Sequence, residues 1–267
     1  WTNPLWESVS GLNDMFAVGG KHYLMACQAT EGYVVYYNRK TLEALGFDDP
    51  KELYENGEWT LEKFKEMLLD YVDPDSEQYG LDGWFNATPL YLASGVPSVS
   101  LSDGKLVNNM MDPAFERAMQ YQYDLNKNGL ILDKSLFNWQ PQIQYIGEGK
   151  ELFYIGGLYE EIEQAPDIWT KNFGSAEDVF FVPVPKDEKA DKYYYNAEID
   201  CYNLCKGAGN PEGVARLMEC VIASYYDENA QQISNEKHKS DYGWSDEMLE
   251  MKAEVKRITV ENPVRDI

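Results

Sequence analysis

Aromatic rings set in polar, glycine-bearing sequence are the residues of this chain with most to offer a ligand. Gly83-Trp84-Phe85-Asn86, Phe137-Asn138-Trp139-Gln140, Tyr193-Tyr194-Tyr195-Asn196 and Tyr242-Gly243-Trp244 each place rings beside amides or hydroxyls in loop-like sequence. Flat aromatic faces pack on the C–H surfaces of sugar rings, and neighbouring Asn, Gln, Asp and Glu hydrogen-bond hydroxyls. The combination suits a neutral, polyhydroxylated ligand. The chain holds 7 Trp, 20 Tyr and 10 Phe, so most of its rings must nevertheless serve as core.

Other chemistry is poorly represented. There is no Walker phosphate loop, G-x-G-x-x-G, H-E-x-x-H or G-x-S-x-G. Asp73-Pro74-Asp75-Ser76-Glu77 begins like a calcium loop, but Gln78 holds the position that needs glycine and Trp84 the one that needs glutamate. Asn86-Ala87-Thr88 matches a glycosylation sequon. Pairs such as Glu160-Glu161 could serve glycoside hydrolysis, although among 46 acidic residues most adjacent carboxylates form a solvated face. Cys27, Cys201, Cys205 and Cys220 are too few for a disulfide scaffold and wrongly spaced for zinc. They read as buried free thiols, with one disulfide as the alternative. His22 and His238 carry no motif, and no metal site is expected.

The 46 acidic residues face 23 basic ones, for a net charge of −23. Binding by counterion release from phosphates is closed to so acidic a surface, which argues against nucleic acid, and anionic membranes are disfavoured for the same reason. No segment approaches the ~20 apolar residues that span a bilayer. Trp1-Thr2-Asn3-Pro4 lacks the basic and apolar regions of a signal peptide and reads as mid-protein sequence, so a fragment or processed form is expected.

These residues need a scaffold, and its parts are visible. Thr60 to Val72 puts Leu61, Phe64, Met67, Leu68 and Tyr71 on one helical face behind a threonine cap. Asp112-Pro113 and Asn210-Pro211 each open a further helix with a capping residue and a proline in the first turn. Ser240 to Lys256 reads as a fourth, strongly acidic helix. Strand-length apolar runs lie at Tyr33–Tyr37, Leu152–Ile155, Val179–Val182 and Ile199–Leu204. Strands alternating with helices predict an α/β architecture.

The order of the segments resembles a known family. Gly20-Lys21-His22-Tyr23-Leu24, Tyr36-Tyr37-Asn38-Arg39-Lys40, Leu45-Gly46-Phe47 and Trp59-Thr60-Leu61-Glu62-Lys63-Phe64 are similar to successive motifs of the extracellular solute-binding proteins (family 1) of ABC importers, maltose-binding-protein-like. Tyr79-Gly80-Leu81, Gly147-Glu148-Gly149-Lys150 with Leu152–Gly157, Phe181-Val182-Pro183-Val184-Pro185 and Asn210-Pro211-Glu212-Gly213-Val214-Ala215 continue the series, over roughly residues 19–230. Trp59 precedes its threonine where the family places tryptophan after it.

The resemblance implies a two-lobe, periplasmic-binding-protein-like (type II) α/β fold that closes on its ligand, lacking the first part of the N-terminal lobe. Residues 1–32 would be a hinge-proximal remnant of the first lobe, 33–176 the second lobe, 177–230 a return to the first and 231–267 a crossing back. It further implies a binding protein and no enzyme, without catalytic residues, cofactor or metal. A sugar or oligosaccharide would be held between the lobes and delivered to the transmembrane subunits of an ABC permease. The protein would be a monomer, either an extracellular lipoprotein anchored to the outer face of the cell membrane or periplasmic. Glu31 matches the position of a sugar-contacting glutamate beside the hinge, and Leu158 replaces the family's frequent stacking tryptophan, with Tyr159 next to it as a substitute. Trp84, Tyr91, Trp139, Tyr195, Asn196 and Glu198 complete the expected ligand-binding set. Two alternatives stay open: a carbohydrate-processing glycosidase with a carboxylate pair, and a binder of a non-sugar solute such as a polyamine or peptide.

Overall fold

The computed structural model describes residues 3–30, 32–84, 87–102, 104–158 and 162–264. In chain order the principal elements begin with α1 (Ser10–Asp14), β1 (Met25–Thr30), β2 (Tyr33–Asn38), α2 (Arg39–Leu45), α3 (Pro50–Glu55) and α4 (Leu61–Tyr71). They continue with β3 (Tyr79–Asp82), α5 (Ala87–Leu92), β4 (Val99–Ser102), β5 (Lys105–Asn108), α6 (Pro113–Lys127), α7 (Gln144–Glu148) and β6 (Glu151–Gly157). The remainder comprises α8 (Pro166–Phe173), β7 (Val179–Pro183), β8 (Tyr195–Asn196), β9 (Glu198–Tyr202), α9 (Pro211–Tyr226), α10 (Glu228–Tyr242), α11 (Asp246–Glu261) and β10 (Pro263–Val264).

Helix starts follow the capping chemistry. The side chains of Thr60, Asp112 and Asn210 accept hydrogen bonds from the backbone N–H groups of Lys63, Ala114 and Gly213, and so satisfy donors that the first turn leaves free. The acidic helix expected over 240–256 is instead two helices. Gly243 in the left-handed region (φ 70°) ends α10, and Ser245 caps α11 by accepting from Met248. The acidic run at Asp73 is a single turn in which Asp73 accepts from Asp75 N–H and Ser76 Oγ.

The main sheet has the order β3-β6-β2-β7. β3 and β6 are parallel, and β2 runs antiparallel to both β6 and β7, so three of the four strands point the same way. Both faces of this sheet are buried, which explains why Tyr36, Tyr37, Tyr154, Phe153, Phe180 and Phe181 leave almost no surface exposed. Trp59, Trp169 and Trp244 join the same core, and each donates its indole N–H to a backbone carbonyl, of Pro183, Tyr242 and Ile162 respectively. A smaller core gathers Trp6, Val9, Leu12, Ala26, Cys27, Ile199, Met218 and Ile222 around the antiparallel pair β1–β9.

β7 belongs to the main sheet through its pairing with β2. Tyr195 belongs to the large core and Ala197 and Ile199 to the small one. All four cysteines are free, and only Cys27 is buried, with Cys205 and Cys220 exposed, so the expectation of buried thiols holds for one of them. Burial pushes the Cys27 thiol upward, and Cys201 and Asp200 add to the shift. A polar set built on the buried His238 and the half-buried Glu163 and Lys252 ties α10 and α11 to the segment after β6. Glu163 Oε1 lies 2.7 Å from His238 Nε2 and accepts from Lys252 Nζ at 2.6 Å. Burial alone would raise the Glu163 carboxyl, but the His238 hydrogen bond and the Lys252 charge outweigh it and bring its pKa to about 2.

Candidate functional site

Three strands of the main sheet, β3, β6 and β7, end at one edge, where β2 begins, so Asp82, Gly157, Pro183 and Tyr33 mark a common rim. In open α/β sheets the carboxyl ends of strands are where ligands bind. Trp84 lies two residues beyond the end of β3 and is 46% exposed. Gly83 before it has φ 132°, and a Cβ there would overlap the backbone of Ile155 on β6. The turn that presents Trp84 is thus seated directly on the neighbouring strand, a close approach that only glycine permits.

Trp139 reaches the same rim by another route. Leu130–Leu132 runs parallel to β3, with Leu81 N–H donating to Leu130 and Leu132 N–H donating to Leu81. The chain then forms a turn over Lys134–Phe137 and passes Asn138 and Trp139 in the left-handed region, at φ 55° and 62°. Trp139 is 71% exposed. The fully buried Asp82 holds this loop at both ends: Oδ2 accepts the Gln142 backbone N–H at 2.6 Å, and Oδ1 pairs with Lys134 Nζ at 3.1 Å. Nearby Glu151 is also buried, with neither carboxyl oxygen hydrogen-bonded. Desolvation, reinforced by the Asp82 charge, raises its carboxyl well above the ordinary range.

The other expected site residues divide. Tyr91, half-buried on α5, sets its ring edge-on to Phe115 with centroids 5.7 Å apart. α5 packs against both α6 and β8, which brings Tyr91 and Asn196 into one neighbourhood. Asn196 is half-buried, and its Oδ1 accepts weakly from Tyr33 N–H at 3.4 Å. A Cβ on Gly32 would overlap the carbonyl and side-chain oxygens of Asn196, so the two crossing strands lie in tight contact. Tyr195 is a core residue: its ring is buried and its hydroxyl donates to the Tyr33 carbonyl, leaving no face for a ligand. Glu198 lies on β9, paired with Thr30. Glu31 and Tyr159, like Glu160 and Glu161, lie outside the described residues. Leu158 is buried.

Sequence reasoning passed over Asp82. The available signal was a carboxylate at the end of an apolar strand followed by glycine. A separate concavity of about 500 Å³ lies between α3 and α11 and is lined by Tyr54, Tyr193, Glu247, Glu254 and Arg257 among others. Its polar groups are already engaged, Glu247 with Arg39 and Lys51, and Glu254 with Arg257 and the Tyr54 hydroxyl.

Comparison with solved structures defines the fold. The chain has the α/β fold of the type II periplasmic binding proteins, shared with sugar- and polyol-binding proteins of ABC transporters. The sugar-binding protein MalE from the phytopathogen Xanthomonas citri matches with a TM-score of 0.64 at 12% identity, over 95% of this chain and 62% of that one. An ABC substrate-binding protein from Listeria monocytogenes in complex with cycloalternan matches at 0.62 and 11% identity, over 94% of this chain and 63% of its own. An ABC transporter solute-binding protein from Agrobacterium vitis S4 with bound D-mannitol matches at 0.53 and 16% identity, over 90% and 57%. The chain therefore spans 57% to 63% of the length of these three proteins. No protein-family profile and no curated protein matches it. The fold expected from the sequence resemblance is the fold these structures share.

Proposed function

We propose that the chain is the solute-binding component of an ABC importer and that it takes a sugar or oligosaccharide at the carboxyl edge of the main sheet. The observation that carries this reading is the pair of solvent-exposed tryptophans, Trp84 and Trp139, mounted on two different loops that both depend on the end of β3. Large apolar rings are left in water at a cost that a stacking ligand recovers. Asn196 and Tyr91 supply hydrogen-bonding groups near the rim in this reading, and Glu31, Tyr159 and Glu198 are the further ligand contacts expected from the sequence. Residues 33–176 together with β7 form the second lobe, and the small core is the part of the first lobe present here. The bound sugar passes to permease subunits outside the membrane without chemical change.

Tryptophan emission titrated with maltooligosaccharides, polyols and polyamines tests the proposal. A saturable change with one carbohydrate class, lost in Trp84→Ala and Trp139→Ala, with the glycan recovered intact, is the expected result. A shortened glycan overturns the non-enzymatic reading. A response to polyamines alone, in keeping with the net charge of −23, replaces the sugar with a cation and leaves the fold in place.

A further inference from the structure

We infer that Asp82 is a positioning residue for ligand binding, a buried clamp that holds both ends of the Lys134–Gln142 loop and so presets Trp139 against the rim that carries Trp84. The inference rests on the sugar-binding reading above. Trp139 is mostly in water, so its own packing does not fix it. Its backbone and that of Asn138 hold a left-handed conformation that non-glycine residues keep only where the surroundings impose it. Within the loop, Trp139 N–H donates to Lys134 and Gln140 N–H to Phe137. These bonds are local and do not attach the loop to the sheet.

Phe137 packs edge-on to Tyr79 of β3 with ring centroids 6.3 Å apart, and the polar attachment is Asp82. One carboxylate oxygen takes the Gln142 N–H and the other pairs with Lys134, across 60 residues of sequence in the first case. A carboxylate suits this place because a neutral side chain could not both accept the N–H and balance a half-buried ammonium. Burial makes the clamp rigid, because no water competes for either oxygen. Asp82 Oδ1 is held to Lys134 by charge at 3.1 Å, without hydrogen-bond geometry, whereas the neighbouring Glu151 has neither an ion pair nor a hydrogen bond to the loop. A loop fixed before the ligand arrives spares binding the cost of ordering Trp139.

The experiment compares Asp82→Asn, Trp139→Ala, their double variant and Glu151→Gln in the full chain. Sugar affinity is read by calorimetry and ring mobility by fluorine NMR of fluorotryptophan-labelled protein, the Trp139 resonance being assigned by Trp139→Phe. Asp82→Asn is expected to weaken binding about tenfold and to broaden or shift the Trp139 resonance in the ligand-free protein. In the Trp139→Ala background the affinity loss from Asp82→Asn disappears, because there is no ring left to position. Glu151→Gln, an equally buried change, leaves affinity and the Trp139 signal as they were. Additive losses in the double variant, an unchanged Trp139 resonance in Asp82→Asn, or an equal effect from Glu151→Gln would each overturn the inference. If the parent chain binds none of the sugars, the functional reading fails and the role in binding fails with it. The Trp139 resonance still decides whether Asp82 clamps the loop.

Discussion

The two cores of this molecule are built on different terms. The large one surrounds a four-stranded sheet covered on both faces, and its three tryptophans are each locked by an indole hydrogen bond. The small one rests on two strands, with a register irregularity between Ala26 and Gln28, and on α9, which buries only Met218 and Ile222. Tyr202, Leu204 and Leu217 lie in its vicinity and remain exposed. A two-stranded ribbon is marginal by itself and relies on what packs against it. The difference predicts that the small core opens more readily than the large one.

Mutation can break or sharpen that contrast. Trp59→Ala removes a fully buried ring and the hydrogen bond to Pro183, and is expected to cost about 3–5 kcal/mol of global stability in denaturant unfolding. Ile222→Ala in the small core should cost about 2 kcal/mol, the low end for such truncations, because the site can relax. Hydrogen exchange should show β1 and β9 amides opening before those of β2 and β6 in both proteins. Equal costs, with exchange lost together across both sheets, would mean one cooperative unit and end the contrast.

Gly32→Ala tests the junction, because its Cβ would overlap Asn196. A loss of about 1–3 kcal/mol is expected, with small-core amides deprotected first. Glu163→Gln probes the anchor of α10 and α11. The folded carboxyl, at about 2, lies below its unfolded value, so its contribution is present above the ordinary carboxylate range and fades as pH falls toward 2. A destabilisation of about 1–2 kcal/mol at pH 7 that vanishes in that window is the expected outcome in pH-dependent melts. The smallest effect belongs to Glu151→Gln. The folded carboxyl is raised, so the wild type is favoured at low pH and loses stability as pH climbs above the unfolded value. The variant lacks that slope and gains on the wild type with rising pH, offset by the unsatisfied amide it introduces.

Much of the scaffold was legible because its signals are local. Thr60, Asp112-Pro113 and Asn210-Pro211 announce their helices within a few residues, and the strands at 33, 152, 179 and 199 are apolar runs of the right length. The break at Gly243 was not, because acidic, helix-compatible sequence flanks it on both sides and hides the Ser245 cap. Trp84 and Trp139 stood out as rings in polar sequence. In Tyr193-Tyr194-Tyr195, by contrast, successive side chains face opposite ways in extended chain, and nothing in the run says which ring is inside. The Asp82 clamp and the Glu163–His238–Lys252 set were illegible for one reason: the partners of Asp82 and Glu163 lie 52 to 89 residues away.

The close seating of Gly32 on Asn196 has a mechanical meaning. Three pieces of chain meet at the junction between the cores: Gly32–Tyr33, Tyr195–Ala197 and Asn262–Val264. Tyr195 N–H donates to Asn262 and Ala197 N–H to Val264, which stitches the second and third side by side, while the Tyr195 hydroxyl and the Asn196 amide oxygen hold Tyr33 to the second. Strands bonded edge to edge make a strap, which flexes across its flat face and resists twist and shear. One core can tip toward the other, while rotation about the strap's length or sliding along it would tear those stitches. A junction so built favours tipping about one axis over twist or slide.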